Sequence, residues 1–431
     1  MEIVCLAPIG ENDFRHLGSK RERMMESIWK GKAGDRCHRF SADPLLLGLA
    51  LLLCAFPCVA QGSASPSSAR QTAILLEQKG EDAGAASAWR AWLETHPSSA
   101  EAYAHLGVLA ARQQDYKEAI ADDRKALALH FAGSGLRLNL GLALFKDGQM
   151  LQAAQEFLPL YRASSATSPQ RQRLAILLGM SYYGAGEYAK AAPFLQEAAD
   201  RDRQNLTLRL ALAHSYLWSK QDQKVLAVYR EILALNPNSA EADMLAGEAL
   251  DQLKDWTGAV EQFRAAIQAD PTLPDVHFGL GYLFWSKHHY PEAIPEFEAE
   301  LKLDPNDAED LTYLGDCHVM LNQREVARPL LEKAIQLNPK NELAHLDLGA
   351  IDASAGQTED ALREFKLAES LAPNDVNVHW RLGRLYRASG QTAEAKAEFD
   401  KAKNITQAAD AALVEKLYPR EQKPATVPAA K

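Results

Sequence analysis

The sequence predicts an all-α fold, a solenoid of stacked helix–turn–helix units, and three observations carry that reading. The first is a period. The skeleton of the stretch Pro274–Asp307 returns every 34 residues in both directions, the spacing of a helix–turn–helix repeat. The second is composition, rich in Ala, Leu, Glu and Gln with few β-branched runs, which favours helix. The third is that no alternation of apolar and polar residues runs long enough to argue for a sheet.

A chain of 431 residues would ordinarily divide into two or three globular domains, but each unit of a solenoid packs only on its neighbours. The formal charge of −10 argues against a broad nucleic-acid-binding surface.

The N-terminus reads as an address. Residues 1–24 are charged and aperiodic, either an untranslated extension before Met24 or Met25 or a cytoplasmic tail. Residues 25–60 have the form of a signal peptide: basic Lys30, Lys32, Arg36 and Arg39, the apolar run Leu45–Ala55, and a small residue at Ala60, after which cleavage is expected. Export to the periplasm or out of the cell follows. The alternative is an uncleaved membrane anchor, against which stand Pro57 and the short apolar run Pro44–Ala60, where a span needs about 20 residues. Cleavage would leave Cys317 as the single thiol, without an internal disulfide or a cysteine-rich metal site. Residues 61–65 read as a flexible spacer.

With Pro274 as position 1, Leu280 and Gly281 occupy positions 7 and 8, Ala293 position 20, Phe297 position 24 and Pro305 position 32. The same places hold Ala246, Gly247, Ala259, Phe263 and Pro271 in the preceding repeat, and Leu348, Gly349, Ala361, Phe365 and Pro373 two repeats on. The register predicts three looser repeats over 66–167, a junction at 168–171 and seven repeats over 172–409, with the Ser/Ala/Pro-rich stretch Ala163–Gln170 as the candidate hinge. Glycine inside a helix costs about 0.5–1 kcal/mol relative to alanine, so its recurrence needs close packing between the two helices of a repeat. Proline at position 32 ends the second helix. Ser239, Asp307, Asn341 and Asp375 at position 34 are placed to cap the next one.

This skeleton resembles the tetratricopeptide repeat. The resemblance implies a right-handed superhelical solenoid whose concave groove, lined by the first helices, binds partner proteins. Pro193, Pro295 and Pro329 depart from the pattern, all at position 22, and predict a second helix that starts late enough to accommodate them. Residues 410–418 should form a separate capping helix, and 419–431 a disordered tail.

No motif for catalysis or cofactor binding stands out, so the expected protein is not an enzyme and holds no cofactor or metal. His277, His345 and His379 all sit at position 4 of separate repeats, which makes them packing residues. His288-His289 reads as a polar turn, and Cys317 as a small buried hydrophobe.

Groove positions 2, 5, 9 and 12 are carried over from the resemblance. They give Glu241, Met244, Glu248 and Asp251 in one repeat; Asp275, Phe278, Tyr282 and Trp285 in the next; then Glu309 and Asp316; and, in the last repeat, Trp380 and Arg384. Aromatic rings flanked by carboxylates suit a basic or proline-rich extended segment. The bland alternative is that Phe278 and Tyr282 pack on the next repeat. The expected role is a protein-binding scaffold of the cell envelope. The rivals are a regulatory or targeting subunit of a separate enzyme complex, or a cytoplasmic or membrane-anchored repeat adaptor.

Overall fold

The computed structural model describes residues 66–131, 133 and 135–417, so the expected signal peptide, spacer and tail lie outside the described residues. Among the described residues there are twenty helices and no strand, running as ten successive pairs that match the ten predicted repeats. The chain divides into two compact units, Met1–Ala269 and Asp270–Lys431.

Within each repeat the packing follows from the small residues. Alanine at position 20 is wholly buried, as at Ala153, Ala259, Ala293 and Ala361, each 0 % exposed. Glycine at position 8 faces the large residue at position 24. A methyl group added at Gly141 would lie 2.5 Å from the Phe157 ring, and one at Gly349 would lie 2.6 Å from Phe365. The two helices meet at a distance that only glycine permits, and the ring closes the gap. The second repeat breaks this rule. Its position 24 is Asp123, 1 % exposed, and an added methyl at Gly107 would meet its carboxylate at 2.3 Å.

The turn between the two helices shows a feature that the sequence did not advertise. Position 15 has positive φ in all ten repeats. Gly80, Gly148, Gly186, Gly356 and Gly390 hold it in five, and Gln114, Lys220, Lys254, His288 and Asn322 in the others. A left-handed residue here ends the first helix and turns the chain into the second. The His288-His289 pair is therefore a structural turn, with His288 Nδ1 2.7 Å from the Tyr290 hydroxyl.

Caps fall where position 34 predicts them. Ser239 Oγ accepts from Ala242 N, Asp307 Oδ1 from Glu309 N at 2.8 Å, Asn341 Oδ1 from Ala344 N at 3.1 Å and Asp375 Oδ1 from Asn377 N at 2.6 Å. Before Val276–Ser286, position 34 is Leu273, which cannot cap. Glu300, from the second helix of the same pair and 4 % exposed, takes over. Its two oxygens accept from Asp275 N at 2.9 Å and Phe278 N at 3.2 Å. One carboxylate thus serves two amide donors that have no partner inside the helix.

Three expectations need correction. The helices carrying Pro193, Pro295 and Pro329 do not start late: they begin at Tyr188, Tyr290 and Arg324, which makes each proline the sixth helical residue. Each forfeits one hydrogen bond, to the carbonyl four residues back on Ala189, Pro291 or Glu325. Those residues and the prolines are all exposed, so water can take the freed carbonyl.

The candidate hinge Ala163–Gln170 is braced by packing on both sides. Ser168 caps Pro169–Gly184, a first helix of 16 residues where most have 13, so the four-residue insertion is absorbed as roughly one extra turn. The apolar core runs through this point from Ala110 to Ala249. Arg171 also ties the two sides together, donating to the Tyr161 hydroxyl at 2.6 Å and to Glu197 at 3.0 Å. Finally, residues 410–417 extend the last helix, Thr392–Leu417, without a break. The reason is visible at position 32, where Gln407 replaces the usual proline and nothing stops the helix.

Candidate functional site

The predicted groove residues divide by unit and by burial. In the first unit, Glu241, Glu248 and Asp251 are partly exposed, but Met244 is 0 % exposed and cannot meet a partner. Its helix, Ala240–Gln252, is buried over the whole run Ala242–Gly247, the mark of a helix enclosed by its neighbours.

The second unit holds the aromatic cluster. Asp275 is withdrawn from the surface: it is 4 % exposed and lies in left-handed backbone with φ 65°, before the helix begins. Asp316 is also buried, 6 % exposed, where it accepts a 2.5 Å hydrogen bond from Trp285 Nε1. Around them four rings form one body. Tyr313 sits 4.7 Å from Trp285, 5.4 Å from Tyr282 and 5.7 Å from Phe278. Phe278 and Tyr282 therefore do pack on the next repeat, and Tyr313, absent from the predicted set, is the ring they pack on. Tyr282 nonetheless remains 39 % exposed, while Phe278, Trp285 and Glu309 are partly so. The result is a packed aromatic surface on which Tyr282 stays the most open ring. Its geometry leaves few rotamers to freeze when something binds.

A polar row runs beneath this surface. Asp347, 1 % exposed, keeps its proton well above the usual carboxylate range because of burial and the neighbouring Asp316 carboxylate. Arg381 Nη2 lies 3.9 Å from it. Cys317 next to Asp316 is 0 % exposed, and burial first, then the Asp316 charge, push its thiol up to about 12. That is the chemistry of a packed thiol and not of a nucleophile.

The position 4 histidines are packed, but through polar contacts. His277, His345 and His379 each place Nδ1 2.7 Å from a glutamate at position 23, namely Glu296, Glu364 and Glu398. In the last two, Nε2 also faces the proline carbonyl that ends the preceding repeat, Pro339 at 3.1 Å and Pro373 at 2.9 Å. These imidazoles fasten the two helices of a repeat to each other and to the repeat before. Glu369, His379 and Glu398 offer ligand atoms within 4.8 Å of one another. However, Lys401 Nζ already lies 2.8 Å from Glu369 and 3.0 Å from Glu398, and Lys366 Nζ lies 2.8 Å from Glu369. Ammonium groups stand where a cation would.

At the C-terminal repeat, Trp380 is 51 % exposed and Arg384 is exposed on the same face. Two buried groups of the first unit had no sequence signal beyond their register. They are Asp123, and His214, which burial lowers to about 4 and keeps neutral.

Models described as "Tetratricopeptide repeat" match residues 71–134, 136–205, 278–342 and 318–376, more than half of the chain, and a second such model matches 182–249 and 352–417. One described as "TPR repeat" matches 247–288. Anaphase-promoting complex subunit 3 of Schizosaccharomyces pombe is 22 % identical over 178 residues, covering 41 % of this chain and 26 % of that protein. This chain thus spans about a quarter of that relative's length. Among solved structures, a tetratricopeptide repeat protein from Parabacteroides merdae is 21 % identical, with 58 % of this chain and 96 % of that one covered and a TM-score of 0.45. YrrB, described as a TPR protein with an unusual peptide-binding site, is 23 % identical over 44 % of this chain and 97 % of its own, with a TM-score of 0.36. Ten helix pairs at a 34-residue period, glycine packed against the residue sixteen places on, and family models that take in more than half of the sequence lead to one conclusion: the chain belongs to the tetratricopeptide repeat family.

Proposed function

We propose that this protein is a non-enzymatic scaffold of the cell envelope, which binds an extended basic or proline-containing segment of a partner protein across the aromatic face of its seventh and eighth repeats. The observation that carries the reading is Tyr282, held by Phe278, Trp285 and Tyr313 yet 39 % exposed, with the Glu309 carboxylate on the first helix of the next repeat. Proline rings and alkyl stems of basic side chains lie well on such surfaces, and a preformed ring cluster saves entropy on binding. The test uses a fluorescein-labelled peptide of alternating proline and lysine. Replacing Tyr282 with lysine should weaken its binding at least tenfold while circular dichroism shows the protein still folded. Equal affinity in a folded Tyr282→Lys variant removes the proposal.

The envelope location rests on the leader-like pattern of residues 25–60. N-terminal sequencing of the protein from its native cells should begin near Gln61, and an intact Met1 or Met25 would place it elsewhere.

A further inference from the structure

We infer that Asp316 and Asp347 share one proton, and that this proton latches the first helices of the eighth and ninth repeats together behind Trp285. The latch belongs to the packing of the second unit. It stands whether or not a peptide binds the aromatic face.

The observation that carries it is a buried carboxylate left without a donor. Asp347 lies on Glu342–Ser354, 1 % exposed, and neither of its oxygens accepts a hydrogen bond. Other buried carboxylates of this unit are served: Glu300 takes two backbone amides, and Asp352 takes Arg328 at 2.5 Å. Two charged groups act on Asp347. Asp316 reaches it from Ala308–Met320, and Arg381, on Val376–Ala388, lies 3.9 Å away, beyond hydrogen-bond reach. Charged groups on the two other helices packed beside it are engaged elsewhere. Arg328 of Arg324–Leu337 holds Asp352, and Glu364 of Thr358–Leu371 holds His345 at 2.7 Å. Asp347 must therefore supply the donor itself. Protonated, it carries an O–H, and the Asp316 carboxylate is the acceptor beside it. Two ionised carboxylates do not share a dry site, and one proton between them resolves the conflict.

The other side of Asp316 faces the aromatic cluster. Its Oδ2 accepts the Trp285 indole N–H at 2.5 Å, and the indole lies 4.7 Å from the Tyr313 ring. The line from Asp347 through Asp316 to Trp285 thus crosses three successive first helices. Tyr290 and the Cys317 thiol also feel the Asp316 charge, and both are held in their neutral forms by it and by burial. When the shared proton leaves for water, a second negative charge is buried beside the first, with one arginine to offset it. The two helices then repel, and the carboxylate on which Trp285 rests moves with them. Burial first, then the Asp316 charge, holds the Asp347 proton well above the usual carboxylate range, against the pull of Arg381. An unfolded aspartate releases its proton near about 4. The latch is therefore complete below that pH, and it is lost as the pH rises through the higher folded value.

The experiment is a pH titration of the full chain carrying isotope-labelled tryptophan, with the indole N–H resonances read by NMR from pH 5 to pH 9.5 and no ligand present. Deletion in Trp285→Phe identifies the Trp285 resonance. In the parent it should move along a single-proton curve. In Asp347→Asn, whose amide donates to Asp316 at every pH, it should keep the parent's acid-side position throughout. Arg381→Gln decides the matter if the asparagine variant does not fold, because Arg381 is partly exposed and its loss leaves the buried pair in place. That variant removes the cation favouring the ionised form, so the midpoint should rise. The inference is overturned if the parent resonance stays still across the range, or if it moves equally in Asp347→Asn. A midpoint that Arg381→Gln leaves in place or lowers overturns it as well.

Discussion

Asp123→Leu should stabilise the second repeat by about 4 kcal/mol at pH 7, and by progressively less as the pH falls toward 4. In the folded chain burial, and after it the neighbouring Asp122, raise the Asp123 carboxyl to about 8, whereas in the unfolded chain it titrates near 4. A group whose folded value is raised favours the folded state in its protonated form. Its full contribution is present below pH 4 and is lost as the pH rises through 8. Each pH unit in that window removes about 1.4 kcal/mol. Leucine carries no such penalty, and it is the residue that Gly179 and Gly315 already meet, at Leu195 and Leu331, so the site is shaped to accept it. Urea denaturation at pH 5 and pH 8 checks the claim. The parent should lose stability between the two and the variant should not, while Asp123→Asn should flatten the profile with a smaller gain. Parallel profiles for parent and leucine variant refute it.

The second large effect is spread over four turns. Gln114, Lys220, Lys254 and His288 occupy left-handed backbone at which an L-residue other than glycine is strained by about 1–2 kcal/mol. Glycine relieves that strain but loses about 0.4–1 kcal/mol through the freedom it gains when unfolded. A net gain of about 0.5–1 kcal/mol at each site follows, and sites this far apart add. The fourfold glycine variant should therefore gain about 2–4 kcal/mol in total. Thermal unfolding followed by circular dichroism reads it, and a fourfold variant that melts at or below the parent temperature rejects the account.

Those two sites show what the sequence could and could not convey. A 34-residue register places all ten helix pairs, their caps at position 34 and the glycine contacts, because each depends on the size or hydrogen-bonding capacity of one residue at a fixed place. The left-handed turns stayed hidden because glycine holds only half of them, and lysine, glutamine and histidine carry no turn signature. The junction at 168–171 misled because an inserted turn of helix and an inserted loop look alike at four residues. Position 22 misled for a different reason. A proline is tolerated within a helix when both it and the carbonyl it frees face water, and exposure is a property of the packed pair. The groove suffered most from this. Positions 5 and 9 name the side of a helix but not whether a neighbour covers it, so Met244 and Asp316 lie buried while Tyr282 and Trp380 are open. Tyr313 could have been found only by asking what stacks on Phe278 and Tyr282.

The capping of Val276–Ser286 by Glu300 has a consequence for the order in which this part of the chain takes shape. Helices that begin beside a serine, aspartate or asparagine hold their first turn by local means, before anything distant has arrived. This helix has no such anchor, since the Asp275 side chain does not cap it and Leu273 cannot. The carboxylate it needs is 25 residues downstream. Starting a helix without a cap is the unfavourable step in helix formation. The seventh pair is therefore nucleated by the meeting of its two helices. Its first turn is held by a contact across the pair, where the first helix of the next pair holds its own through Asp307.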